Sequence, residues 1–216
     1  MSPNHPANAV MSSTLANDRP WQPILDFWFL ADGQAGSGQE RPEWFRKDPA
    51  FDASIRQRFL EDIETALAGG FAAWDRGLSH GAPSDPRASL ARIILLDQFT
   101  RNVFRDTPLA FSGDARALSE ARSLVDRGAD RQLNRVERSF VYLPFEHAED
   151  LAMQERGVAL FEELGRESGE EGAAEWAIRH RDIIARFGRF PHRNQVLGRT
   201  STPDEIAFLK TPGSSF

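Results

Sequence analysis

Residues 91–104 read ARIILLDQFTRNVF, and this stretch decides the fold. Asp85 and Pro86 supply a helix start ahead of it and Asp106-Thr107-Pro108 a stop behind it. Between those signals the apolar residues fall on nearly every side of the predicted helix. A helix with so little polar face belongs in the centre of a domain, so other elements have to cover it.

The flanking sequence supplies them. PILDFWFL at 23–30 reads as a short helix with Trp21, Ile24, Leu25 and Trp28 at helical spacing. Asp48 and Pro49 open a helix whose Phe51, Ile55, Phe59, Ile63 and Leu67 form one stripe before Gly69-Gly70. Leu118, Ala121 and Val125 mark another, opened near Ser112 and stopped by Gly128. Asn134 and Glu137 form a capping-box pattern before VERSFVYL, and Pro144 is read as opening a further helix, PFEHAEDLAMQERGVALFEEL, up to a turn at 165–172. A helix from Ala173 to Phe187 stops at Gly188, and Thr202 to Glu205 is a second capping box before IAFLK. No segment alternates with period two, so the chain is read as all-α, with stacked antiparallel helix pairs. Residues 21–210 form a single helical domain, with a disordered extension at 1–20 and a flexible tail at 211–216.

Composition removes several function classes. With no cysteine among 216 residues there is no disulfide framework, thiolate metal site or cysteine nucleophile. The net charge of -6 argues against a general nucleic-acid binder. No apolar run reaches the length of a membrane span, and no secretory signal pattern is present, so the cytoplasm is expected. The glycines at 33, 36 and 38 lack the lysine and the preceding strand of a phosphate loop. Ser112, Ser139 and Tyr142 sit in no nucleophile-elbow pattern. The pattern identifies no cofactor.

Polar groups on apolar faces carry what remains. Asp97 and Arg101 lie one turn apart inside the central helix, where burial of either charge alone costs several kcal/mol. They form a register-fixing ion pair, or Asp97 aims Arg101 at a ligand. His147 points inward from EHAED, flanked by Glu146 and Asp150, a set that suits a divalent metal but also the first turn of a helix. His180 lies on an apolar stripe, and the turn at Gly188 brings His192 and Arg193 back toward it. Residues 179–199 hold six arginines and two histidines against one acid, Asp182. Arg101, Arg105, Arg189, Arg193 and Arg199 offer planar forks for carboxylate or phosphate, or bridges to Asp97, Glu146, Glu149 and Asp150.

Four segments also resemble a known family. ILDFWF (24–29), LLDQFTRNVFR (95–105), YLPFEHAED (142–150) and HRDIIARFGRFPHRNQVLGR (180–199) are similar to a bacterial family catalogued as domain of unknown function 924. The resemblance spans about residues 22–210 and implies a tetratricopeptide-like right-handed superhelix, with no activity to transfer. The family usually has proline where this chain has Thr100 and serine where it has Ala148, so no role for a hydroxyl beside His147 carries over.

Three functions fit these residues. The first is a binding protein whose polar pocket, lined by Asp97, Arg101, Arg105, Glu146, His147, His180, Arg189, His192 and Arg193, holds a small anion or an acidic peptide. The second is a metal-assisted hydrolase with His147, His180 and His192 as ligands and Glu146 or Asp150 as ligand or base, although no pair has HExxH spacing. The third is a protein-interaction scaffold that uses exposed aromatics such as Trp44 or Trp74. Neither nucleic acid nor membrane is an expected partner.

Overall fold

The computed structural model describes residues 19–71, 74, 85–170 and 172–215. The expectations for the N-terminal extension up to residue 18 and for the loop at 75–84 lie outside the described residues. Among the described residues the fold is all-helical: α1 (Gln22–Phe29), α2 (Pro49–Leu67), α3 (Pro86–Ile93), α4 (Thr100–Val103), α5 (Asp114–Asp126), α6 (Arg135–His147), α7 (Leu151–Ser168), α8 (Glu175–Phe187) and α9 (Pro203–Phe208). Short 3₁₀ turns connect several of them, and none of the helices is long and apolar enough to cross a membrane.

The caps follow the sequence signals. Asp48 accepts from the backbone of Ala50 and Phe51, and Asn134 and Thr202 each close a full capping box with Glu137 and Glu205. These bonds satisfy backbone donors that a helix start leaves open. Gly188 ends α8 at φ 70°, a conformation glycine adopts without a Cβ penalty.

The central stretch is buried, as its pattern requires: Leu90 to Leu95 and Phe99 have almost no exposed surface. It is not one uniform helix. Residues Ile94–Phe99 form a π-helical turn between α3 and α4, and Asp97 sits in it. Such a turn inserts a residue and re-aims side chains, and π turns are often found at functional sites.

Three sequence expectations change. Pro144 does not open a helix, because α6 runs through it to His147 and the chain breaks at Ala148. The start signal that wins is Asp150, whose carboxylate accepts from Met153 N and opens α7. Glu146 and His147 therefore close a helix, and the preference of acids for a first turn does not explain them. The second change concerns residue 165, expected in a turn: α7 continues to Ser168 and stops at Gly169. Third, Trp44 and Trp74 are buried. Trp44 stacks on Trp28 and donates its indole N–H to the Trp28 carbonyl at 3.1 Å, while Trp74 packs on Phe71 and Trp21.

The core divides in two. The larger cluster runs from Trp21 to Ala177 and takes in α1 to α7 with the start of α8. The smaller holds Ile183, Ile184 and Phe190, with Phe187 and Phe208 against it. Asp97, Glu146, His180 and Arg193 are buried as well, with His180 and Arg193 lying against Phe190 of the smaller cluster.

Candidate functional site

Asp97 is fully buried, and three side chains satisfy it. Its Oδ1 lies 2.7 Å from His147 Nδ1 and 3.0 Å from Arg101 Nη1, and its Oδ2 accepts from Gln98 Nε2 at 2.6 Å. Burial works to raise its pKa, but the charge of Arg101 and the hydrogen bonds from His147 and Gln98 outweigh burial and hold the carboxyl below its usual range. An ionised carboxylate only accepts, so the hydrogen toward His147 belongs to Nδ1 and the lone pair of the neutral ring to Nε2. His147 itself is shifted down, by burial first and then by Arg101.

Arg101 extends the network. Its guanidinium meets Asp114 with both terminal nitrogens, at 2.9 and 3.1 Å. Asp114, the first residue of α5, then accepts from Arg193 Nη1 at 3.1 Å. Nothing in the sequence pattern marked Asp114, which reads as an ordinary first-turn acid. Its position depends on Gly113, where a Cβ would stand 2.1 Å from the Leu96 carbonyl oxygen. Only the bare glycine lets the start of α5 press against the π turn.

A second pair backs the first. His180 Nδ1 donates to the Trp176 carbonyl at 2.8 Å and lies 3.4 Å from Glu146 Oε2. The His147 and His180 rings are 6.2 Å apart, and Phe190 packs between His180 and His192 with centroids at 5.7 and 5.5 Å. Burial, with the nearby Asp97 charge, pushes the Glu146 carboxyl up to about 8, so it holds its proton at neutral pH. Burial, then the neighbouring His147, drives His180 down to about 3; burial and Arg193 take His192 to about 4. The three histidines are therefore neutral under ordinary conditions.

Arg193 is the unusual cation. Its guanidinium lies between Phe111 and Phe190, 4.6 Å from each ring centroid. Burial and repulsion from Arg101 lower its pKa to about 10, so it stays charged. Its Nε is buried with no hydrogen-bond partner among the described residues, although a guanidinium has five donors to place.

Of the residues expected to line one pocket, Asp97, Arg101, Glu146, His147, His180 and Arg193 meet here, with His192 adjacent. Arg105 does not join them: it forks onto Asp52 of α2 at 2.5 and 3.0 Å. Arg189 is closed on Glu205 at 2.7 and 2.9 Å, and Arg199 on Glu149 at 2.6 and 2.9 Å. Glu149 also accepts from Phe190 N at 2.8 Å, so these two arginines tie the 189–205 segment to itself and to the body. Asp150, the proposed alternative base, caps α7. Among the described residues no three His, Asp or Glu side chains are arranged to hold a metal ion.

Residues 24–213 match the family described as a bacterial protein of unknown function, DUF924. A solved structure of a protein of unknown function from Agrobacterium tumefaciens is 37% identical, with a TM-score of 0.74 over 92% of this chain and 98% of that one. No curated protein matches the chain.

Proposed function

The chain belongs to the bacterial DUF924 family, whose description names no activity, and we propose from the chain's own geometry that it binds a small anion bearing a carboxylate or phosphate group. One observation carries this reading. Arg193 is a buried cation whose Nη1 is held by Asp114 and whose Nε, on the opposite edge of the fork, has no acceptor among the described residues. An unmet buried donor costs about 1–3 kcal/mol, and more on a charged group, unless a ligand supplies the acceptor. Two oxygens of a carboxylate or of a phosphate match the edge of a guanidinium with two parallel hydrogen bonds. The other candidate arginines, Arg101, Arg105, Arg189 and Arg199, are committed to protein carboxylates, and Phe111 and Phe190 hold the Arg193 plane in place.

Calorimetric titration with inorganic phosphate and with short mono- and dicarboxylates tests the proposal. Binding by at least one of them is expected, weakened tenfold or more by both Arg193→Ala and Arg193→Lys, since lysine keeps the charge but loses the fork. If no probe binds, or Arg193→Ala binds as tightly as the parent, the reading fails.

A further inference from the structure

The anion-binding reading does not use the Asp97–His147 pair. Asp97, with no exposed surface, faces His147 from a buried turn, and its other contacts, Arg101 and Gln98, leave it no freedom to turn away. A carboxylate fixed behind Nδ1 orients an imidazole, sets its tautomer and stabilises the cation formed when Nε2 takes a proton. The Nε2 atom makes no hydrogen bond to any described residue, and the His147 side chain keeps 15% of its surface exposed. It is sheltered but reachable. The ring is packed against His180 on one side, and its frame is joined to the anion fork by a chain of ion pairs: Arg101 binds both Asp97 and Asp114, and Asp114 binds Arg193.

We propose that His147, oriented by Asp97, is a general base and that the site carries out proton transfer on the anion held at Arg193. The substrate class rests on the anion-binding reading; the base does not. In the step, an O–H of the ligand, or of a water lying against it, gives its proton to His147 Nε2 while the oxygen keeps the electron pair. The other hydrogen stays on Nδ1, donated to Asp97, whose negative charge offsets the imidazolium. Release of the proton from Nε2 to product or solvent restores the neutral ring, with no oxidant or reductant involved. His180 is a weaker candidate because its Nδ1 is backed by a neutral carbonyl.

Diethyl pyrocarbonate, which acylates unprotonated imidazole nitrogen, reads this without knowledge of the substrate. Peptide mass spectrometry of the whole protein should show His147 modified faster than His180 and His192. Saturating phosphate should slow His147 at least tenfold, and Asp97→Asn should do the same without phosphate. Should that variant not fold, proton–nitrogen correlation spectra of the unmodified protein answer instead: the His147 hydrogen must be on Nδ1, and a ring protonated on Nε2 overturns the proposal. An unreactive His147 in a protein that binds phosphate removes the base and leaves anion binding. A reactive His147 in a protein to which phosphate does not bind does the reverse.

Discussion

Glu146 and the histidines around it titrate in opposite senses, and that opposition sets how stability depends on pH. A carboxyl raised from 4.5 to about 8 favours the folded state most below 4.5 and loses that contribution as pH rises toward 8. Histidines lowered from 6.5 to about 3 and about 4 act the other way, with their contribution intact above 6.5 and lost as pH falls. From pH 4.5 to 6.5 the histidines outnumber the single acid, and above 6.5 the acid acts alone. Stability should therefore peak near pH 6.5 and fall toward pH 8, by at most about 1.4 kcal/mol per pH unit for one proton. Glu146→Gln, which keeps the shape and removes the titration, should flatten the fall above pH 6.5 and steepen the rise from pH 4.5 to 6.5, where the acid no longer opposes the histidines. Urea titrations of both proteins at pH 5, 6.5 and 8 measure this, and equal slopes above 6.5 would disprove it. At this scale the sequence was partly legible. The Asp97–Arg101 pair followed from spacing in an apolar helix, because buried charges one turn apart have few other partners. That Arg105 turns to Asp52 and Arg101 to Asp114 depends on which helices adjoin, and local spacing carries no record of that.

Among the elements, one contact positions the site. The π turn and the start of α5 touch at Gly113, and the touch places Asp114 where Arg101 and Arg193 both reach it. Gly113→Ala would drive a methyl group into the Leu96 carbonyl, with backbone on both sides and no flexible side chain to yield. The expected cost is about 3 kcal/mol, the upper end for overpacking. Phosphate affinity should fall as well, although residue 113 touches no ligand. A variant with parent-like stability would show that the two segments part freely. Helix boundaries were legible where a cap marked them, as at Asp48, Asn134 and Thr202. They were misread at Pro144 because proline is both a good first-turn residue and a tolerated interior one when neighbours bury it. The π turn left no trace in the pattern, since a residue inserted into a helix apolar on all sides disturbs no stripe.

At the scale of the molecule, the polar layer is the joint between two unequal apolar clusters. The body has a large aromatic core, whereas the end of α8, the 189–199 turn and α9 share only a small one. What fastens this smaller part to the body is largely polar: Glu149 with Arg199 and Phe190 N, Asp114 with Arg193, Glu146 with His180. A part with little buried apolar surface opens at lower free energy than the core it rests on. Arg193 belongs to it, so opening would dismantle the anion site, and a bound anion would resist opening. At a phosphate concentration one hundred times the dissociation constant the closed state is favoured by about 2.7 kcal/mol, so amide exchange through this opening should slow about a hundredfold. The amides to watch are Asn194, Leu197 and Arg199, which donate to the Pro191, Arg193 and Asn194 carbonyls within the turn. Amides of α2, which lies in the body, should exchange at an unchanged rate, and Arg193→Ala should abolish the slowing. Equal slowing in α2 and in the turn would mean that the chain opens only as a whole, and that the polar layer is no joint at all.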